Sequence, residues 1–155
     1  LVSLSARAEV HKMVESSIKM GARLSLGGEI PDSDGAYYPI TVLSNVLPGM
    51  PAFDEEMFGP IFSIIEAKDN DHAIALANNS KYGLGAAVFT SDINKGRRIA
   101  EEKIQSGVCF VNDYVKSDPR LPFGGIKMSG YGRELSSYGL MEFVNIKSIV
   151  VENNN

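Results

Sequence analysis

Ile61-Phe62-Ser63-Ile64-Ile65-Glu66-Ala67 opens the stretch that decides the fold, which runs on to Val108-Cys109-Phe110-Val111. The first run is apolar and β-rich, and Asp69 behind it can cap a helix over Asn70–Asn79. Leu84–Phe89 predicts a second strand, and Ser91 or Asp92 caps a second helix that reaches about Ile104. Val108–Val111 predicts a third strand. Near-continuous apolar strands alternating with helices predict a parallel α/β sheet with right-handed crossovers.

Working outward, residues 5–22 place Val10, Met13, Val14, Ser17, Ile18 and Gly21 at steps of three and four, which predicts an amphipathic helix capped by Ser3 or Ser5. Arg23–Leu26 and Tyr37–Leu43 predict strands around a turn-rich Gly27–Gly35. Beyond Asn112 comes a long stretch without periodicity, Asp113–Gly132, of the kind that is either functional or holds an element the pattern does not reveal. A helical turn is predicted near Arg133–Gly139, followed by a final strand, Phe143–Val151, with no partner element after it. Such a strand is expected to pair with another chain.

The composition agrees with a folded domain. The chain has 155 residues, 44% hydrophobic and 22% charged, so a core is affordable and a disordered tail is excluded. Fifteen Lys and Arg against nineteen Asp and Glu give a net charge of −4, which argues against a nucleic-acid partner. No apolar run approaches the roughly eighteen residues of a membrane span. A single cysteine favours a reducing cytoplasm. The chain opens Leu1-Val2-Ser3 and enters a helical pattern almost at once, so its natural beginning is expected upstream.

Several tempting sites fail on chemistry. Cys109 sits between Val108 and Phe110 in an apolar strand, where a thiol behaves as a small hydrophobe and is expected to be core. His11 and His72 are about sixty residues apart, lack a convergent third ligand, and are expected at the solvated surface. Asp32-Ser33-Asp34-Gly35 lacks the later acids of a calcium loop. Gly83-Leu84-Gly85 lacks the third glycine of a dinucleotide fingerprint, and Gly130-Tyr131 is not a phosphate loop.

Two segments carry more. Glu55-Glu56-Met57-Phe58-Gly59-Pro60 sets paired carboxylates before an aromatic and a turn. Leu121-Pro122-Phe123-Gly124-Gly125-Ile126-Lys127-Met128-Ser129-Gly130-Tyr131-Gly132-Arg133-Glu134 holds four glycines in nine residues, which lets its backbone approach another surface closely. Taken alone, each also reads as plain structure: a helical turn ended by Gly-Pro, and a connector packed on the sheet.

Together, in this order and about sixty residues apart, they resemble the C-terminal part of the aldehyde dehydrogenase superfamily. Gly21-Ala22-Arg23, Gly27-Gly28, Tyr38–Leu43, Tyr82-Gly83-Leu84 and Gly107-Val108 through Asn112 extend the resemblance over about Leu1 to Glu152. Gly132-Arg133-Glu134-Leu135-Ser136 with Tyr138-Gly139-Leu140 and Glu142-Phe143 is most similar to bacterial succinate-semialdehyde dehydrogenases. The resemblance implies a three-layer, mostly parallel α/β sheet with flanking helices over residues 1–142. Residues 143–155 then form an oligomerisation strand and tail, as in a homodimer or homotetramer.

The resemblance also implies roles. Glu56 matches the carboxylate that binds the nicotinamide ribose hydroxyls of NAD or NADP, and Phe58 the aromatic beside the nicotinamide. Phe123 matches the aromatic lining the aldehyde tunnel, and Ser117 a serine that bonds the distal carboxylate of a semialdehyde. Arg120 is a further candidate partner for that carboxylate. Family chemistry uses a cysteine thiolate, hydride transfer to NAD(P)+ and a glutamate base, all N-terminal to the matching region. Cys109 does not align with that thiolate, so the chain alone is expected to be inactive, with no catalytic residue of its own. The alternative is a truncated, non-catalytic module for interaction or oligomerisation.

Overall fold

The computed structural model describes residues 1–152, which form two compact units divided between Asn79 and Ser80. The first unit contains α1 (Leu4–Lys19), β1 (Arg23–Leu26), β2 (Thr41–Ser44), α2 (Pro51–Asp54), β3 (Ile61–Ser63) and α3 (Asn70–Asn78). The second contains β4 (Tyr82–Gly83), β5 (Gly85–Val88), α4 (Ile93–Glu102), β6 (Val108–Val111), β7 (Ile126–Lys127) and α5 (Ser136–Met141). The class is mixed α/β, with small sheets.

In the first unit, Ser3 caps α1 by accepting the Ala6 N–H, and the helix buries Val10, Val14 and Ser17 on one face, as their spacing predicts. β2 is the middle strand, antiparallel to β1 and parallel to β3, and it turns Thr41 and Leu43 inward. Val14, Ala22, Leu43, Val46, Met50 and Ala52 form the core, with Ile18, Tyr38, Phe53 and Met57 packed around it. Asp69 caps α3 through the His72 N–H, as expected.

In the second unit, β5 and β6 pair in parallel around α4, which Asp92 caps through the Lys95 N–H. Asn112 closes β6: its side-chain amide exchanges two 2.7 Å hydrogen bonds with the Thr90 backbone, and its φ of 56° turns the chain away. Gly107 must be glycine because a Cβ there would strike the Gly124 carbonyl. β4 pairs antiparallel with β7.

Several expected elements come out shorter. The strand expected over Tyr37–Leu43 begins only at Thr41, because Pro39 has no N–H to donate and Tyr38 turns toward His11. Ile61–Ala67 pairs only through Ser63, and β3 sides with β2 rather than opening a continuous parallel run. The helical turn expected near Arg133–Gly139 is α5, which starts later, at Ser136, behind Leu135 at φ 63°.

The final strand expected over Phe143–Val151 is not formed within this chain. A strand exists only against a ladder partner, and none lies beside these residues among those described. Residues 153–155, the end of the tail expected after that strand, lie outside the described residues. Cys109 is half-buried rather than fully core, although desolvation does push its thiol upward. His11, expected at the solvated surface, is also half-buried, with Nδ1 3.0 Å from the Tyr38 hydroxyl.

Candidate functional site

Each unit carries one candidate cluster. In the first, the turn at residues 55–60 follows α2, which is held by one buried and one half-buried hydroxyl. Ser17, fully buried, accepts the Ala52 N–H at 2.9 Å and donates to the Met13 carbonyl at 2.9 Å. Ser63 donates to the Ala52 carbonyl at 2.8 Å, so one residue of α2 is gripped from both sides. Asp54 accepts the Gly49 N–H at 3.0 Å.

Behind this clamp the backbone becomes extended at Glu55, and two tight turns follow, Gly59 N–H to Met57 C=O and Ile61 N–H to Gly59 C=O. Met57 packs against the core, so its neighbours Glu56 and Phe58 are turned outward. Phe58 is 75% exposed. The Glu56 carboxylate has no hydrogen-bond or ion-pair partner among the described residues. Gly59 lies where a Cβ would come 3.1 Å from Val10, which presses the turn onto α1. An outward carboxylate and an outward aromatic, two residues apart on a braced turn, can accept paired hydroxyls and present a flat apolar face.

In the second unit, Phe123 exchanges both backbone hydrogen bonds with Glu134, each 2.8 Å, and this closes the glycine-rich loop between them. Arg133 Nη1 donates to the Gly125 and Gly132 carbonyls at 2.9 and 2.6 Å, and Ser129 accepts the Gly83 N–H at 3.0 Å. Phe123 lines a cavity of about 520 Å³ together with Tyr131, Arg133, Glu134, Glu142 and Phe143. The residue patterns did not single out Glu142 or Arg133 as cavity lining. The only available signal was their place beside the glycine-rich stretch.

Asp113–Leu121 leads into this loop and is charged but balanced. Asp113 accepts Lys116 Nζ at 2.6 Å and the Tyr114 N–H at 2.9 Å, which hold its carboxyl below the usual carboxylate range. Asp118 accepts Arg120 Nε at 2.9 Å, Nη2 at 2.6 Å and its N–H at 2.9 Å, and its carboxyl is held far below that range. Ser117 lies between the two pairs, exposed, its hydroxyl unbonded among the described residues. Sequence reading offered Arg120 as a further partner for a substrate carboxylate and missed Asp118, which already binds it. The Asp118-x-Arg120 spacing was the signal that could have found it.

Among the described residues no three His, Cys, Asp or Glu side chains converge as a metal site would require. No described helix is long and apolar enough to cross a membrane.

The model of the aldehyde dehydrogenase family matches residues 1–149. Over 143 residues the chain is 52% identical to the NAD(P)+ succinate semialdehyde dehydrogenase of Escherichia coli, covering 92% of the chain and 31% of that protein. Over 149 residues it is 44% identical to the NADP+ succinate-semialdehyde dehydrogenase of Deinococcus radiodurans, covering 96% and 31%. Among solved structures, the succinic semialdehyde dehydrogenase of Streptococcus pyogenes in complex with NADP+ matches with a TM-score of 0.92 and 39% identity, over 99% of the chain and 33% of that one. The aldehyde dehydrogenase of Mycobacterium tuberculosis complexed with NAD+ gives 0.92 and 38%, over 98% and 32%. The chain thus spans about a third of the length of the relatives it matches. With the family model running through nearly every described residue, this chain belongs to the aldehyde dehydrogenase family.

Proposed function

We propose that this chain is the C-terminal part of an NAD(P)+-dependent aldehyde dehydrogenase that oxidises succinic semialdehyde to the dicarboxylate. The observation that carries the reading is the turn at Glu56 and Phe58. An unpartnered carboxylate and an exposed ring stand together on a turn clamped by two hydroxyls. That combination fits a nucleotide: Glu56 accepts hydrogen bonds from the ribose hydroxyls and Phe58 packs beside the nicotinamide. Bound NAD or NADP supplies the hydride acceptor. Phe123 lines the path of the aldehyde, and Ser117 donates to its distal carboxylate, with Arg120 as that carboxylate's second partner.

In this reading residues 1–142 complete a three-layer, mostly parallel catalytic domain, and residues 143–155 add a strand and tail to a partner subunit's sheet in a homodimer or homotetramer. The nucleophile and the base come from polypeptide N-terminal to this chain, which alone is inactive. A reducing cytoplasm suits its one thiol. A non-catalytic assembly module is the second reading, favoured by the bare apolar residues Phe143, Ile146, Ile149 and Val150.

The coding sequence upstream of Leu1 separates the two: a continuous frame with a Gly-Gln-x-Cys segment belongs to the enzyme, a start codon just ahead of Leu1 to the module. The kinetic test uses the full-length protein with NAD+ or NADP+. Ser117→Ala is expected to impair oxidation of succinic semialdehyde more than that of an uncharged aldehyde of similar length. Equal losses would remove the carboxylate role from Ser117.

A further inference from the structure

We propose that Asp118 is a specificity-determining residue, which competes with the substrate's distal carboxylate for Arg120 and so sets how strongly the site prefers an anionic aldehyde. The inference rests on the functional reading above and concerns the same loop. Its basis is geometric. Asp118 takes the Nε–Nη2 edge of the guanidinium with both carboxylate oxygens, at 2.9 and 2.6 Å, and adds the Arg120 backbone N–H at 2.9 Å. Three donors from one residue converge on a side chain that is only 27% exposed.

Surface ion pairs contribute little because solvent screens them and two long side chains must be ordered. The Arg120 side chain is 86% exposed and is screened in this way, but Asp118 has a short side chain, and its bond to the Arg120 N–H fixes the acceptor beside the guanidinium. The edge that Asp118 occupies is one of the two that a guanidinium offers to a carboxylate for paired hydrogen bonding. A substrate carboxylate must displace Asp118 from that edge or be content with the remaining Nη hydrogens.

The same arrangement repeats on the other side of Ser117. Lys116, the only other cation between Asp113 and Arg120, is engaged by Asp113 at 2.6 Å. Each positive charge of the loop is therefore matched by a carboxylate of the loop itself. Ser117 offers a neutral hydroxyl between two balanced pairs, and its immediate neighbour Asp118 repels an incoming anion. The preference for a carboxylate-bearing aldehyde is thus held below what the cations of the loop would give alone.

The test is a double-mutant cycle in the full-length enzyme, using Asp118→Asn, Arg120→Met and the pair. KM and kcat are measured for succinic semialdehyde and for an uncharged aldehyde of similar length. Asp118→Asn is expected to lower KM for succinic semialdehyde about three- to tenfold, leaving the uncharged aldehyde within about twofold. Arg120→Met is expected to raise KM for succinic semialdehyde more in the Asp118→Asn background than in the parent. The inference is overturned if Asp118→Asn raises that KM, if it moves both aldehydes alike, or if the Arg120→Met penalty is the same in both backgrounds. Should Asp118→Asn misfold, Asp118→Ser, which keeps an acceptor for the Arg120 N–H, carries the same expectations. A parent enzyme with no preference for the anionic aldehyde would instead refute the functional reading, and that result precedes any variant.

Discussion

Ser17→Ala tests whether the outward turn at Glu56 depends on a hydroxyl some forty residues earlier in the chain. The substitution removes one oxygen from a fully buried position. The Met13 carbonyl lies inside the α1 ladder and loses little. The Ala52 N–H fares differently: it is the donor Ser17 satisfies, its residue is buried, and Pro51 at the start of α2 has no N–H to reorganise around. Leaving one buried donor unpaired costs about 1–3 kcal/mol. Taking roughly 2 kcal/mol, the melting temperature of a chain of this length falls by about 4–8 °C. Urea and thermal unfolding of purified chain and variant measure it, and amide exchange at residues 51–54 localises it. Ser63→Ala is the control. It strips one bond from a carbonyl, which tolerates loss better than an N–H, so about 0.5–1.5 kcal/mol is expected. A Ser17→Ala protein within about 0.5 kcal/mol of the parent, with unchanged exchange at Ala52, would refute the clamp.

In the full-length enzyme, Glu56→Gln is expected to lower kcat/KM for the cofactor about tenfold or more, since a charged hydrogen bond is worth about 1.5–3 kcal/mol; unchanged kinetics would remove the ribose role. Asn112→Gly keeps the left-handed backbone but loses the amide pair with Thr90, whereas Asn112→Ala loses both, so alanine should be the more destabilising by about 1 kcal/mol in urea unfolding. Desolvation favours the neutral thiol of Cys109, so its alkylation rate should climb only above the ordinary thiol pKa; a midpoint at or below that value would contradict the buried setting. The purified chain should associate with rising concentration in sedimentation, because Phe143, Ile146, Ile149 and Val150 are bare, and Ile146→Pro should weaken that association.

What could be read from residue patterns was what depends on neighbours in the chain. The face of α1, the Asp69 and Asp92 caps and the strand at Val108–Val111 all follow from periodicity or from one side chain reaching three residues ahead. Lengths and partners depend on distant residues and were read less well. Nothing near Ile61 says that its ladder ends at Ser63, since that limit is set by β2 from Thr41 to Ser44. The segment from Phe143 to Val151 has a strand's composition, yet composition supplies no partner, and the described residues form no ladder with it.

The same division runs through the candidate site. Glu56, Phe58 and Phe123 were singled out by the family resemblance, and what holds the segments around them was not visible in the sequence: the Ser17 and Ser63 hydroxyls on Ala52 in one unit, and the Arg133 guanidinium on two glycine carbonyls in the other. The spacing placed Ser17 on the inward face of α1, but only the structure shows that its hydroxyl grips Ala52. Arg120 makes the complementary point. A sequence counts it as a cation, whereas the structure gives its charge to Asp118, two residues away. Its value to a ligand is therefore the difference between two carboxylates competing for one fork. That difference is a property of the pair, so under the proposed function Asp118 matters to the loop's specificity as much as Arg120 does.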